Sequence, residues 1–290
     1  MFLQTDQFVN KLKFVDSGTM GKQAFPEFYK FILVEYKRED NTIIFRSFSS
    51  TDHTHHIAVV GEPENRSISI DPESMEGFVF DPSDLLKSYS KIKDQMFLHV
   101  DFRRKMILLK TRMSDSTIQG SDGSGFIRIP PYEGETESLD VPENFAKALR
   151  RVMWATDQKS VDPAGKGVFI KTVNADEPYI EMAATDREVI AVCRDYDNIS
   201  GFHGQGIIPY QAVSSLADMI ESGDDECDLL MTSERIICVS GDYTIISGYI
   251  DAPMLAYDRV IENFKKESFK SAKLSRIQLA TGSDFASQYA

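Results

Sequence analysis

The sequence predicts an α+β fold made of two similar halves, each with two helices packed on antiparallel sheets. Three observations carry this. Residues 206–260 read as one helix followed by three short β-branched strands, separated by turn residues. The order of helices and strands in the first half returns in the second, at offsets of about 128 to 137 residues. Finally, 290 residues that are 42% hydrophobic and 27% charged suffice for more than one sizeable core.

Near the start, residues 5–16 place Phe8, Leu12 and Val15 on one helical face, with Thr5 as the candidate cap and Asp6 at the positive end of the dipole. Lys11 and Lys13 fall away from that face. The alternating runs FILVEY and NTIIFRSF predict strands, followed by a polar turn, STDHTHH, and a further strand, IAVV. A polar bend at residues 61–65 and one more strand lead to FVFDPSDLLKSYSKI at residues 78–92. There Pro82 suits a first-turn position, Leu85, Tyr89 and Ile92 point inward, and Lys87 and Lys91 point away. Strands MFLHVDF and KMILLKT, a polar loop at residues 114–124 and the run FIRIP close the half.

Residues 131–141, PYEGETESLDV, are acidic and lack an apolar period, which marks the connection between domains. The predicted domains are 1–134 and 135–262, with 263–290 as a tail whose Phe264, Phe269, Leu274 and Ile277 predict at most a helix or a docking segment. In the second half PENFAKALRRVM matches TDQFVNKLKFV, and GIIPYQAVSSLADMI matches FVFDPSDLLKSYSKI. The helix at residues 209–221 turns Val213, Leu216, Ala217 and Ile220 inward and Ser214, Ser215 and Asp218 outward.

The chain holds 32 Lys and Arg against 45 Asp and Glu, a net charge of -13. That excludes holding nucleic acid by global attraction, so local clustering of cations decides. The helix at residues 143–154 sets Phe145, Leu149, Val152 and Met153 on one stripe and Lys147, Arg150 and Arg151 on the opposite one. A solvated basic face explains this helix taken alone. The recurrence of outward cations at Lys11, Lys13, Lys87 and Lys91 adds contact with phosphates to the reading.

Motifs for catalysis are missing: no nucleophile elbow, no Ser, His, Asp order and no paired carboxylates on convincing elements. Cys193, Cys227 and Cys238 form no CxxC pair and sit in apolar runs, as buried structural thiols do. His53, His55 and His56 beside Asp52 could hold zinc and support a metal-dependent hydrolase. Against this, strand alternation throws His55 and His56 to opposite faces, and no distant pair completes a tetrahedral set. GSDGSG at residues 120–125 lacks the lysine of a phosphate loop and reads as a flexible turn. No cofactor and no metal are expected. Neither a signal peptide nor a run of about 18 apolar residues appears, which points to no membrane and to the cytoplasm.

The ordered set of ATD before an amphipathic strand, IIP opening a helix, the ladder CDLLM, RIICVS and TIISGYI, and the ending YIDAPMLAYDRVI resembles the second domain of a bacterial DNA polymerase sliding clamp, the polymerase III β subunit. The resemblance spans about residues 1 to 262 and implies the DNA-clamp fold, with sheets outside and helices lining a central hole. It implies a processivity factor without catalysis: a ring around duplex DNA that tethers the replicative polymerase and is opened and closed by an ATP-dependent clamp loader. Six such domains close the rings of this superfamily, so two domains per chain imply a homotrimer, and this two-domain size points to a bacteriophage acting in infected host cytoplasm. In that reading Lys11, Lys13, Lys87, Lys91, Lys147, Arg150 and Arg151 line the hole.

Bacterial clamps also hold a linear peptide from polymerases and the loader in an apolar pocket. By position its residues here are Thr185, Ile190, Leu255, Arg259 and Val260. The chain departs from the family where Gly, His, Arg, Leu after the ATD run is replaced by Arg187, Glu188, Val189, Ile190, and where the proline of the ending sits early, at Pro253. Ring contacts are expected between exposed sheet edges, first at residues 105–111 and 235–240. The alternative is a clamp-fold adaptor that binds replication or transcription proteins without encircling DNA.

Overall fold

The computed structural model describes residues 2–19, 30–37, 42–49, 53–60, 77–92, 95–112, 114–128, 139–141, 144–196, 204–222, 227–253, and Tyr257, Arg259 and Glu262. These residues build one unit four times: a strand, a helix and three more strands. The first is β1 (Phe2–Gln4), α1 (Thr5–Ser17), β2 (Ile32–Lys37), β3 (Thr42–Ser49) and β4 (Thr54–Val60). The second is β5 (Phe78–Phe80), α2 (Ser83–Tyr89), β6 (Gln95–Asp101), β7 (Met106–Thr111) and β8 (Asp115–Gln119), followed by the short β9 (Ser121–Asp122). The third is β10 (Leu139–Asp140), α3 (Phe145–Met153), β11 (Gly167–Val173), β12 (Tyr179–Thr185) and β13 (Ile190–Asp195). The fourth is β14 (Gln205–Pro209), α4 (Tyr210–Ser222), β15 (Cys227–Met231), β16 (Arg235–Ser240) and β17 (Tyr243–Gly248).

Within each half, the two units exchange their first strands. β1 joins β6-β7-β8 and β5 joins β2-β3-β4; likewise β10 joins β15-β16-β17 and β14 joins β11-β12-β13. All pairings are antiparallel. The halves then meet edge to edge, because β4 pairs with β17 from Thr54 opposite Ser247 to Ala58 opposite Tyr243. That junction makes one nine-stranded sheet, and residues 1–254 form one compact unit, with 255–290 a second in which Tyr257, Arg259 and Glu262 are helical.

The apolar stripes read from the sequence are the faces that fold inward. Phe8, Leu12, Val15, Leu85 and Tyr89 share one core with Phe45, Phe80 and Leu109. Phe145, Leu149, Val152, Val213 and Leu216 share another with Ile170, Met182, Ile208 and Ile245. A third, small cluster of Leu33, Phe48, Val79 and Phe126 lies on the opposite side of the first half's strands. α1 begins straight from β1 without a side-chain cap: Thr5 is buried and Gln4 takes the cap position.

Several local expectations are corrected. The STDHTHH stretch is not a turn beyond His53, since β4 starts at Thr54 and buries both His55 and His56. The polar loop at 114–124 holds β8 and β9, whose polarity reflects an edge position, where one side of the strand stays wet. GSDGSG is packed rather than flexible: β9 pairs with β5, and a Cβ at Gly120 would lie 2.3 Å from the Phe78 ring. Residues 105–111 and 235–240 are not edges. β7 lies between β6 and β8, and β16 between β15 and β17. The bend at 61–65, the strand after it, most of the connection at 131–141 and the tail at 263–290 lie outside the described residues.

Candidate nucleic-acid interface and partner site

The helices share one layer. On the nine-stranded sheet, Phe14 of α1 packs its ring edge on His56 of β4 at 5.3 Å and on Tyr243 of β17 at 5.0 Å. Ile245, opposite His56 in register, lies in the core beneath α4, so α1 and α4 cover the same face. α2 packs beside α1 and α3 beside α4. The outward side of this layer is where the predicted cations sit.

The seven cations do not behave alike. Lys13, Lys87, Lys91, Lys147 and Arg151 are exposed. Lys87 lies 3.9 Å from Asp84 and Lys147 3.5 Å from the Asn144 side chain, loose contacts between solvated groups. Lys11, in contrast, has a side chain only 17% exposed, and its Nζ donates to the Val59 carbonyl at 2.8 Å and pairs with Asp242 at 2.5 Å. Its expected outward placement is therefore corrected: Lys11 ties α1 to β4 and to the β16–β17 turn, across the junction between the halves. Arg150 is half-buried and spends its charge within the chain. Its Nε donates to Glu221 at 2.9 Å, and its Nη2 to Asp218. These hydrogen bonds from α4 raise its pKa further, holding it cationic but neutralised locally. The packing of α3 on α4 brings these groups together, which no periodicity within α3 could reveal.

Trp154, the single tryptophan of the chain, ends α3 at 63% exposure, and its Nε1 donates to the Arg151 carbonyl at 2.8 Å. The apolar stripe of α3 did not mark it as surface. Its exposed ring stands three residues from Arg151, whose side chain is also exposed.

The partner residues divide as well. Thr185 is buried and closes the β12–β13 hairpin: its hydroxyl donates to the Val189 carbonyl at 2.7 Å and accepts from the Arg187 amide at 3.0 Å. Asp186 accepts from the Val189 and Glu188 amides at 2.7 and 2.9 Å, and these bonds hold its carboxyl below the usual range. Both side chains are turn staples. Ile190, opposite Thr185 in register, is 36% exposed, and Arg259 is exposed. Leu255 and Val260 lie outside the described residues.

A cavity of about 400 Å³ opens on the sheet face opposite α1, lined by Phe48, His53, His55, Ile127, Arg235 and Tyr249 among others. Sequence periodicity missed it because its walls come from both halves and meet only through β4 and β17. His55 stacks at 4.3 Å on Phe48 here, while His56 faces α1 on the other side. Burial pushes the His55 pKa down to about 3, helped by the charges of Arg46 and Arg235, and that of His56 down to about 4. Two neutral rings on opposite faces do not converge on an ion, and no group of three metal-binding side chains occurs among the described residues. That geometry separates His55 from His56 as ligands of one ion, and Asp52 lies outside the described residues. All three cysteines are free thiols, Cys238 buried and the others half-buried.

No known family profile matches the chain, and no curated protein sequence does. Solved structures match over nearly its full length. The chain is similar to a DNA polymerase sliding clamp from Caulobacter crescentus, at TM-score 0.79 and 16% identity over 100% of this chain and 75% of that one. It is similar to the DNA polymerase III subunit beta from Pseudomonas aeruginosa, at TM-score 0.72 and 17% identity over 90% of this chain and 67% of that one. A sliding clamp from Bartonella birtlesii, solved with griselimycin bound, matches at TM-score 0.72 and 16% identity, over 90% and 67%. The fold is therefore the sliding-clamp fold. Among the described residues, no helix is long and apolar enough to cross a membrane.

Proposed function

We propose that the protein is a DNA sliding clamp, a ring that encircles duplex DNA and tethers a replicative polymerase to it. The observation that carries this reading is the shared helix layer, with Lys13, Lys87, Lys91, Lys147 and Arg151 on its outward side and the sheets behind it. The net charge of the whole chain, -13, disfavours DNA held by general attraction and leaves that layer as the favoured contact. Encircled DNA cannot leave by simple release, so a few sequence-independent phosphate contacts suffice, and tight ones would hinder sliding.

The repeated units form two clamp domains, 1–134 and 135–262, and three copies of this chain make the six-domain ring. An ATP-dependent loader opens it. The ring catalyses nothing itself and works in the cytoplasm of a bacterium, or of a bacterial host during phage infection. Ile190, with the hairpin held by Thr185, receives a peptide of the polymerase or loader.

Mass in solution tests the ring. Light scattering should read three times 32.7 kDa over a concentration series. A persistent monomer would leave the clamp-fold adaptor as the better reading. The lining is tested by Lys147→Glu with Arg151→Glu, expected to reduce retention on closed circular DNA about tenfold or more with unchanged thermal stability. Unchanged retention removes these two residues from the lining.

A further inference from the structure

A second cavity, of about 350 Å³, lies between α2 and β8 in the first half. Its size is that of sites that take small ligands. Asp81, Asp84 and Ser88 line it from exposed positions and Ser116 from a half-buried one, while Leu85 and Tyr89 close it toward the core. The cavity thus joins hydrogen-bond acceptors to an apolar floor.

Two features set its polar groups apart. Tyr89 is 1% exposed, yet its hydroxyl has no hydrogen-bond partner among the described residues. A buried hydroxyl without a partner costs the folded chain free energy, and native interiors rarely keep one. Negative charge also gathers here without a cation to match it. Among the described residues Asp81 accepts from the Ser83 amide at 2.8 Å and forms no ion pair, and Lys87 lies 3.9 Å from Asp84 with both side chains largely exposed. Such a contact leaves the Asp84 carboxylate available. Asp16, at the end of α1, registers the same imbalance: burial, and then the charge of Asp81, hold its carboxyl above the usual range.

We propose that this cavity binds a small organic cation, a guanidinium or ammonium head on an alkyl stem. The head meets the Asp81 and Asp84 carboxylates and donates an N–H to the Tyr89 hydroxyl, and the stem lies along Leu85 and Ile118. A guanidinium suits this set because it carries several N–H donors in a planar fork and no acceptor. A metal ion suits it less. Its ligands must converge on one point, and no three metal-binding side chains do so among the described residues, whereas an alkyl cation spans separate acceptors. This binding goes beyond the clamp reading and does not depend on it.

Agmatine, an alkyl guanidinium that also carries an ammonium, is the probe, titrated calorimetrically into the full chain at physiological salt. Saturable one-to-one binding with a Kd below about 1 mM is expected. Asp81→Asn and Tyr89→Phe should each weaken it about tenfold or more. Tyr89→Phe should do so with an unchanged or raised melting temperature, because it removes a hydroxyl that bonds to nothing in the free chain. Putrescine, with ammonium heads alone, separates the two heads: weaker binding assigns the site to guanidinium and equal binding to either cation. Absence of saturation, or equal affinity in wild type and both variants, overturns the site. Loss of stability in Tyr89→Phe overturns it too, since the hydroxyl then has a partner already. Displacement of agmatine by equimolar Mg²⁺ replaces the organic cation with a metal ion. Binding that fades as the protein is concentrated, with a rise in mass by light scattering, gives the cavity to a basic side chain of a second copy and overturns the small ligand.

Discussion

β4 and β13 are the same strand in two copies of one unit, yet the chain treats them in opposite ways. β4 is enclosed between β3 and β17 and buries two imidazoles, His55 on one face and His56 on the other. In β13 the matching positions hold Ile190 and Ala191, and the strand ends its sheet. The enclosed copy carries buried polar groups and the open copy carries exposed apolar ones. A strand enclosed on both sides can accommodate polar rings held by packing around them, whereas an edge strand leaves its side chains partly exposed.

Acid should break the comparison most strongly. Both rings are neutral in the folded chain, while in the unfolded chain a histidine takes up a proton below about pH 6.5. Their contribution is fully present above that pH and is lost as pH falls toward about 4 for His56 and about 3 for His55. For His56 alone the loss is on the order of 2 kcal/mol by about pH 4.5. Denaturant melts at pH 7.5 and 4.5 should show it, and hydrogen exchange at acid pH should open β3, β4 and β17 before β11 to β13. Uniform opening would remove the imidazoles from this role.

A smaller effect should follow from the end of α1. Gly18 lies so close to His56 that an added Cβ would sit 2.1 Å from its Nδ1. Gly18→Ala should therefore cost about 1 to 3 kcal/mol through overpacking, read as a lowered denaturation midpoint with an unchanged slope. The hairpins that precede the two strands sharpen the comparison by the least. Each turns on a non-glycine residue in the left-handed region, His53 at φ 48° and Arg187 at φ 79°. Arg187→Gly should stabilise the chain by about 1 kcal/mol, because its exposed pair with Asp162 at 3.3 Å offsets little of the backbone strain. No gain would mean that the pair matters more than the turn.

The helices were legible because each exposes one stripe and buries another, so Phe8, Leu12, Val15 and Phe145, Leu149, Val152 announce their own faces. Strands with mixed environments were harder to read. β8 is polar because it is an edge, and β4 opens with threonine and two histidines, so both look like turns to a reading based on alternation. The β12–β13 hairpin was recognisable from ATD, but that Thr185 and Asp186 spend their polar atoms on the turn itself required coordinates.

From the sequence alone came the α+β class, the duplication, the helix faces and the resemblance to sliding clamps, because periodicity and order along the chain are local properties. Which cations remain available was decided only by tertiary structure. Lys11 and Arg150 look the same as Lys13 and Arg151 on a helical wheel, yet Asp242 and the α4 carboxylates of Asp218 and Glu221 claim the first two. Those partners are far away in sequence and near in space. Edge status was decided the same way, since whether a strand has one neighbour or two depends on pairing between distant segments, and among the described residues it is pairing that gives β8 and β13 one neighbour each.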